Sequence, residues 1–241
     1  VEFMKAMRAE LAAIAVPLTA NTAAAMQTQL QAFCQSPAQV AEWRVDAWPD
    51  VDDQTAAIIG TRVHAAGKLL LMTLRTHAEG GAFTGEEGEY VAMYSRLGHR
   101  AHPDAIDVTD IVSVTARLLL LEQAHRHDCA VVASHHDFQA TPIVVQAEAR
   151  LRAQAAWADV VKLAAMPQEP ADTLNLLAIS AWARANLAKP AIVIGMGTLG
   201  QLTRIAAGPF APALTFASLG AVRASGQLSV ATVSALQVEQ K

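Results

Sequence analysis

An α/β chain closed into a parallel (β/α)8 barrel, the TIM-barrel architecture, is the fold class this sequence predicts, and three observations predict it. Eight short apolar runs rich in β-branched residues alternate with longer stretches whose apolar residues recur at helical spacing. The repeat is roughly thirty residues, the length of one strand and helix unit. The runs are apolar on both faces, as strands covered on both sides must be. At 241 residues the chain is long enough for one such barrel, and no low-complexity linker divides it, so residues 1–241 are read as a single domain.

In order, the strands are expected at 12–18, 40–46, 69–75, 105–108, 130–134, 159–164, 191–195 and 213–217. Helical periodicity covers 22–33, 53–66, 114–127, 141–156 and 171–187 between them. Pro170 before Asp172 and Thr173 marks a helix start, and Gly67 marks a stop.

Charge and composition exclude several classes of partner. A net charge of -4, a pI near 6.1 and scattered Lys and Arg give no basic field for nucleic acid. Hydrophobic residues make up 53% of the chain, but alanine supplies much of that, and no stretch approaches the roughly 18 apolar residues of a membrane helix. Val1-Glu2-Phe3-Met4-Lys5 has neither the apolar core nor the cleavage site of a secretory signal, so a cytoplasmic location is expected. Cys34 and Cys129 lie in or beside apolar segments and read as reduced, buried thiols. His125-Arg126-His127-Asp128 falls at a helix C-terminus, where cations suit the macrodipole, and no metal site is expected there. Gly195-Met196-Gly197-Thr198-Leu199-Gly200 fits the G-x-G-x-x-G spacing, yet at the seventh strand too little chain follows for a dinucleotide fold. No cofactor is expected.

Lys162 carries the most information about chemistry. It sits inside Val160-Val161-Lys162-Leu163-Ala164, a run that must be a buried strand. An ammonium there is costly unless paired, and an unpaired one is expected to give up its proton and become a nucleophilic amine. A strand-end lysine reaching solvent or a carboxylate is the alternative. Chemistry in such barrels sits at the C-terminal strand ends, where further polar residues collect. Alternation puts Glu42, Arg44 and Asp46 on one face of the second strand, as a site or as a structural ion network. Arg75 ends the third strand, with Glu79-Gly80-Gly81 beyond it; a surface ion pair is the other reading. Ser134-His135-His136-Asp137-Phe138 ends the fifth, beside the lysine strand, which sets a base next to the nucleophile.

These segments resemble type I 3-dehydroquinate dehydratase: Glu42 to Asp46, Arg75 with Glu79-Gly80-Gly81, Ser134 to Phe138 with Thr141-Pro142, and Val161-Lys162-Leu163-Ala164 with Met166-Pro167-Gln168. Ile14-Ala15-Val16-Pro17-Leu18 and Ser225-Gly226-Gln227-Leu228-Ser229-Val230 extend the likeness over essentially the whole chain. The resemblance implies a homodimeric barrel that dehydrates 3-dehydroquinate to 3-dehydroshikimate in the shikimate pathway, without metal or organic cofactor. It implies Lys162 as the Schiff-base lysine, His136 as general acid and base, and Glu79 as the carboxylate that orients it. Arg204 corresponds to the clamp on the substrate carboxylate, Glu42, Arg44, Arg75 and Gln227 to residues around the substrate hydroxyls, and Met196 to an apolar contact over the ring.

The residue types suit that chemistry. An iminium on Lys162 is a cationic electron sink that lets a histidine remove the adjacent carbon-bound proton. An arginine grips a carboxylate through two parallel donors. The chain also departs from the family pattern. His135 stands where Asn is usual, Thr109 where Glu is common, and Gly195-Met196-Gly197 where a serine-containing loop is usual. Arg223-Ala224-Ser225-Gly226-Gln227 replaces Ser-Ala-Pro-Gly-Gln, leaving Ser225 as the candidate hydroxyl of that loop. The alternatives are another Schiff-base barrel enzyme of class I aldolase type, and a non-catalytic relative that binds a metabolite of the quinate pathway.

Overall fold

The computed structural model describes residues 2–220 and 226–239. Helix α1 (Glu2–Met7) precedes β1 (Ala13–Leu18), α2 (Ala23–Gln35), β2 (Val40–Arg44), α3 (Asp53–Ala65), β3 (Leu69–Thr73), α4 (Glu87–Ala101), β4 (Ala105–Thr109), α5 (Val114–His125), β5 (Ala130–Asp137) and α6 (Val144–Ala155). The chain continues through β6 (Val160–Ala165), α7 (Pro170–Asn186), β7 (Ala191–Gly195), α8 (Gln201–Ile205), β8 (Leu214–Ser218), β9 (Leu228–Ser229) and α9 (Val230–Glu239). All strands pair in parallel, in the order β7-β6-β5-β4-β3-β2-β1-β8-β9. The Ala213 N–H donates to the Ala191 carbonyl at 2.8 Å, tying the start of β8 to β7 and closing the sheet into the (β/α)8 barrel. Among the described residues no helix is long and apolar enough to cross a membrane.

Helix starts follow local chemistry. The Thr22 hydroxyl accepts the Ala25 N–H, and the Asp52 carboxylate accepts that of Thr55, so each satisfies a donor of the first turn. Glu86 and Glu89 form a reciprocal capping box that opens α4.

Alternation along the strands decides what lies inside. Val40, Leu71, Ala105, Val132, Val160, Ile192 and Leu214 face inward and pack with Phe3 and Met7 of α1, which close the lower end. Burying each of those two side chains contributes roughly 1.5–3 kcal/mol. Trp43, Met72 and Val131 face outward under one set of helices, and Val161, Leu163 and Val193 under α6 and α7. Two residues further along the inward faces the side chains turn polar: Glu42 follows Val40, Asp107 follows Ala105, Ser134 follows Val132 and Lys162 follows Val160. The apolar floor thus sets the height of a polar layer directly above it.

Three strand ends differ from expectation by two residues or more; β3 stops at Thr73, so Arg75 lies just beyond the strand rather than at its end. β2 stops at Arg44, and Val45–Ala47 form a 3-10 turn, so Asp46 does not share a strand face with Glu42 and Arg44. Its carboxylate turns to accept two backbone N–H groups of the loop after β3, which a strand position would not allow. β5 runs on to Asp137 rather than stopping at Ser134, because Lys162, Leu163, Ala164 and Ala165 of β6 pair with Ser134, His135, His136 and Asp137. That extension makes both histidines strand residues.

Candidate active site

Lys162 does face the barrel interior, with its side chain 3% exposed, but it is not a lone cation. Its Nζ lies 2.9 Å from Asp107 Oδ2 and 4.5 Å from the centre of the Phe216 ring. The amine expected to stand unpaired therefore has a carboxylate partner. Asp107 Oδ1 accepts Arg75 Nη2 at 2.8 Å and the Ser134 hydroxyl at 2.5 Å. Burial would raise the Asp107 carboxyl, but the charges of Arg75 and Lys162 hold it well below the usual carboxylate range. Arg75 also donates through Nη1 to Glu79 Oε2 at 3.2 Å and to Ser134 at 2.8 Å. The Arg75 and Glu79 pair is buried, not a surface pair.

Strand parity separates the two histidines. Ser134 and His136 share the inward face of β5 with Lys162 opposite Ser134, while His135 turns outward to Asp110, Nδ1 to Oδ1 at 3.0 Å. Glu79 ends the 3-10 turn His77–Glu79 and accepts the His136 backbone N–H on Oε1 at 2.8 Å; His136 Nδ1 lies 3.6 Å from the same oxygen. Gly80 follows at φ 75°, and a Cβ there would come within 2.5 Å of the Phe138 ring, so the ring rests on the glycine. His136 and Phe138 stack with their centres 6.4 Å apart.

Burial, then the positive charge of Arg75, push the His136 imidazole down to about 3, against the opposing pull of Glu79. It is a neutral base at physiological pH. Burial would raise Glu79, but His136 and Arg75 bring it down to about 2. Among the described residues the buried His136 Nδ1 has no partner within hydrogen-bond distance, and Glu79 Oε1 at 3.6 Å is the carboxylate it faces.

The other expected residues gather around the mouth. Glu42 Oε1 accepts the Thr73 hydroxyl at 3.1 Å, and Arg44 grips Asp46 through two bonds of 2.9 and 2.7 Å. Arg44 and Gln227 line a cavity of about 470 Å³ with Pro17 and Ser218. Met196 is half-buried just beyond β7, its N–H on the Ala165 carbonyl. Ser225 lies outside the described residues.

Arg204 is 5% exposed, and among the described residues no carboxylate lies within ion-pair distance of it. Its Nη1 reaches the Phe216 carbonyl at 3.4 Å, its Nε has no hydrogen-bond partner among the described residues, and burial drags the guanidinium down to about 10. A desolvated cation of this kind is a site for an anion.

The glycine-rich segment after β7 builds this feature instead of a nucleotide cradle. A Cβ on Gly195 would meet Gly200 Cα at 2.5 Å, and the Thr203 hydroxyl accepts the Gly195 N–H and donates to the Gly200 carbonyl, both at 2.7 Å. The folded turn delivers Arg204 on the five-residue α8. Glu79, Asp110 and His135 bring potential ligand atoms within 4.8 Å of one another. Donors of Arg75, Arg150 and Gln154 already occupy those carboxylates, so the protein's own cations fill the role of a metal.

Asp107, Ser134 and Phe216 complete the surroundings of the lysine and went unassigned in the sequence. Asp107 carries the same signal as Lys162, a lone charge at an inward position of an apolar strand, and two such residues of opposite sign invite pairing.

Both depressed groups tie stability to pH in the same direction. A histidine near 6.5 unfolded and about 3 folded binds more protons in the unfolded state between those values, so stability falls as pH drops below 6.5. Glu79 adds a further loss only below about 4.5. Urea denaturation from pH 6.5 to 5 is expected to show the wild type losing up to about 1.4 kcal/mol per unit more than His136→Asn. Parallel curves for the two proteins would contradict the burial of a neutral imidazole.

Residues 14–240 match the family model described as Type I 3-dehydroquinase. The chain is 34% identical to the 3-dehydroquinate dehydratase of Lactiplantibacillus plantarum over 221 residues, covering 90% of this chain and 88% of that protein. It is also 34% identical to the enzyme of that name from Enterococcus faecalis over 222 residues, with the same coverage. The crystal structure of the type I 3-dehydroquinate dehydratase of Clostridium difficile with covalently modified comenic acid superposes with a TM-score of 0.89 at 26% identity, covering 96% of this chain and 93% of that one. The Enterococcus faecalis 3-dehydroquinate dehydratase structure gives 0.86 at 30% identity, covering 96% and 95%. With the family model spanning nearly all of it, the chain belongs to the type I 3-dehydroquinase family.

Proposed function

We propose that the protein dehydrates 3-dehydroquinate to 3-dehydroshikimate, with Lys162 as Schiff-base nucleophile and His136 as general acid and base. The observation that carries this reading is the convergence of Lys162, His136 and Glu79 on the inward faces and mouth of one barrel, in a chain of this family. Lys162 Nζ adds to the substrate ketone, and loss of water leaves an iminium. His136, neutral in the free protein, takes the proton from the neighbouring carbon and gives an enamine. The imidazolium then protonates the departing hydroxyl, and hydrolysis of the conjugated iminium returns the amine. Glu79 holds the imidazole and offsets its transient charge. Arg204 receives the substrate carboxylate, which supplies the anion its buried guanidinium lacks. Glu42, Arg44, Arg75 and Gln227 frame the hydroxyls, and Met196 covers the ring.

The protein acts as a homodimer in the reducing cytoplasm on this reading. Helix α5 buries Ala116, Leu120 and Ala124 yet leaves Val114 65% and Leu118 55% exposed, with Ile111, Ile143 and Val145 also open. A helix apolar on both sides calls for a second covering surface. Both cysteines are free thiols.

Borohydride added with 3-dehydroquinate is expected to inactivate the protein and leave a reduced adduct on the peptide bearing Lys162. Lys162→Ala is expected to remove the rise in enone absorbance while the variant stays folded. An unchanged intact mass would contradict the Schiff-base mechanism, and substantial turnover by the variant would move the nucleophile elsewhere. An adduct with a different carbonyl substrate and no dehydration would favour the aldolase-like reading, and binding without turnover the metabolite-binding one. Sedimentation is expected to give twice the monomer mass, with Leu118→Glu shifting it to the monomer; a wild-type monomer would overturn the dimer.

A further inference from the structure

We propose that His135 is a positioning residue for the general base, governing from the outer side of the barrel how firmly Glu79 holds His136. The inference rests on the reading of His136 as that base.

Glu79 Oε1 sits between two imidazoles. His136 Nδ1 lies 3.6 Å from it on the inner side, and His135 Nδ1 lies 3.8 Å from it on the other. Adjacent residues of a strand point to opposite faces, and here a carboxylate from the loop after β3 reaches both. A charge or N–H placed on His135 therefore acts on the same oxygen that orients His136.

The surroundings of His135 make its protonation state consequential. Its Nδ1 is 3.0 Å from Asp110 Oδ1 and 3.2 Å from Arg150 Nη1. A carboxylate only accepts and a guanidinium only donates, so one ring nitrogen cannot satisfy both. An N–H there bonds Asp110 and opposes Arg150, whereas a bare nitrogen accepts from Arg150 and opposes Asp110. Arg150 and Gln154 of α6 both bond Asp110 Oδ2, which fixes the carboxylate in this position. The groups facing the ring are thus Asp110 beyond β4, Glu79 beyond β3 and Arg150 from α6. Arg117 and Asp137 line the same outer cleft of about 790 Å³.

The His135 side chain is 19% exposed and lines that cleft, away from the barrel mouth. An N–H on its ring aimed at Glu79 Oε1 competes with His136 for that oxygen. The base then loses its orientation while the substrate-binding residues are untouched. Asn, the usual residue of the family at this position, offers a donor but cannot ionise.

The test is kcat and KM for 3-dehydroquinate from about pH 5.5 to 9 in the wild type, His135→Phe and His135→Asn. His135→Phe is expected to lose about tenfold in kcat with KM little changed, and His135→Asn to recover most of that loss at pH 8. An unchanged kcat in His135→Phe, or a loss confined to KM, would overturn the inference while leaving the dehydratase reading intact. Absence of turnover by the wild type would overturn both.

Discussion

The Asp107 carboxylate is the interaction on which the interior depends. It is buried, and among the described residues it alone joins the two cations at the centre, Arg75 through Oδ1 and Lys162 through Oδ2. Removing one member of such a network leaves an uncompensated charge at a cost of about 3–5 kcal/mol. The arrangement is asymmetric in a useful way. Arg75 has Glu79 and Ser134 as further partners, whereas Lys162 has Asp107 and the face of Phe216. The lysine is thus the member that can leave the network without dismantling the rest.

From that carboxylate the electrostatics run outward. Arg75 lowers both Asp107 and Glu79, and its charge together with burial keeps His136 neutral. A neutral imidazole, an anionic carboxylate and a paired amine coexist because one guanidinium touches two carboxylates inside a low-dielectric barrel. Arg204 stands apart as a desolvated cation with no acid partner among the described residues, which is what a site prepared for a carboxylate requires.

Much of the barrel was legible in the sequence because both-faces-apolar strands and helical periodicity are properties of single segments. Lys162 stood out for a related reason, a charged group inside an apolar strand, whereas the choice of His136 and Glu79 as site residues came from the family resemblance. What escaped was set by tertiary partners. The run at 40–46 reads as strand throughout, yet Asp46 leaves the strand to accept backbone donors from the loop after β3. The isolation inferred for Lys162 failed because its partner comes from a strand 55 residues away in sequence. The G-x-G-x-x-G spacing likewise acquired its meaning only when Gly195 and Gly200 met backbone to backbone. His135 and His136 look alike in the sequence, and β5 parity separates them once the strand is known to extend to Asp137.

A crystal structure of the borohydride-reduced complex with 3-dehydroquinate tests the account most directly. The expected result is a covalent bond from Lys162 Nζ to the former carbonyl carbon, Asp107 still bonded to Arg75, His136 over the adjacent carbon and the substrate carboxylate on Arg204. A substrate bound to another residue, or one whose carboxylate lies away from Arg204, would contradict it.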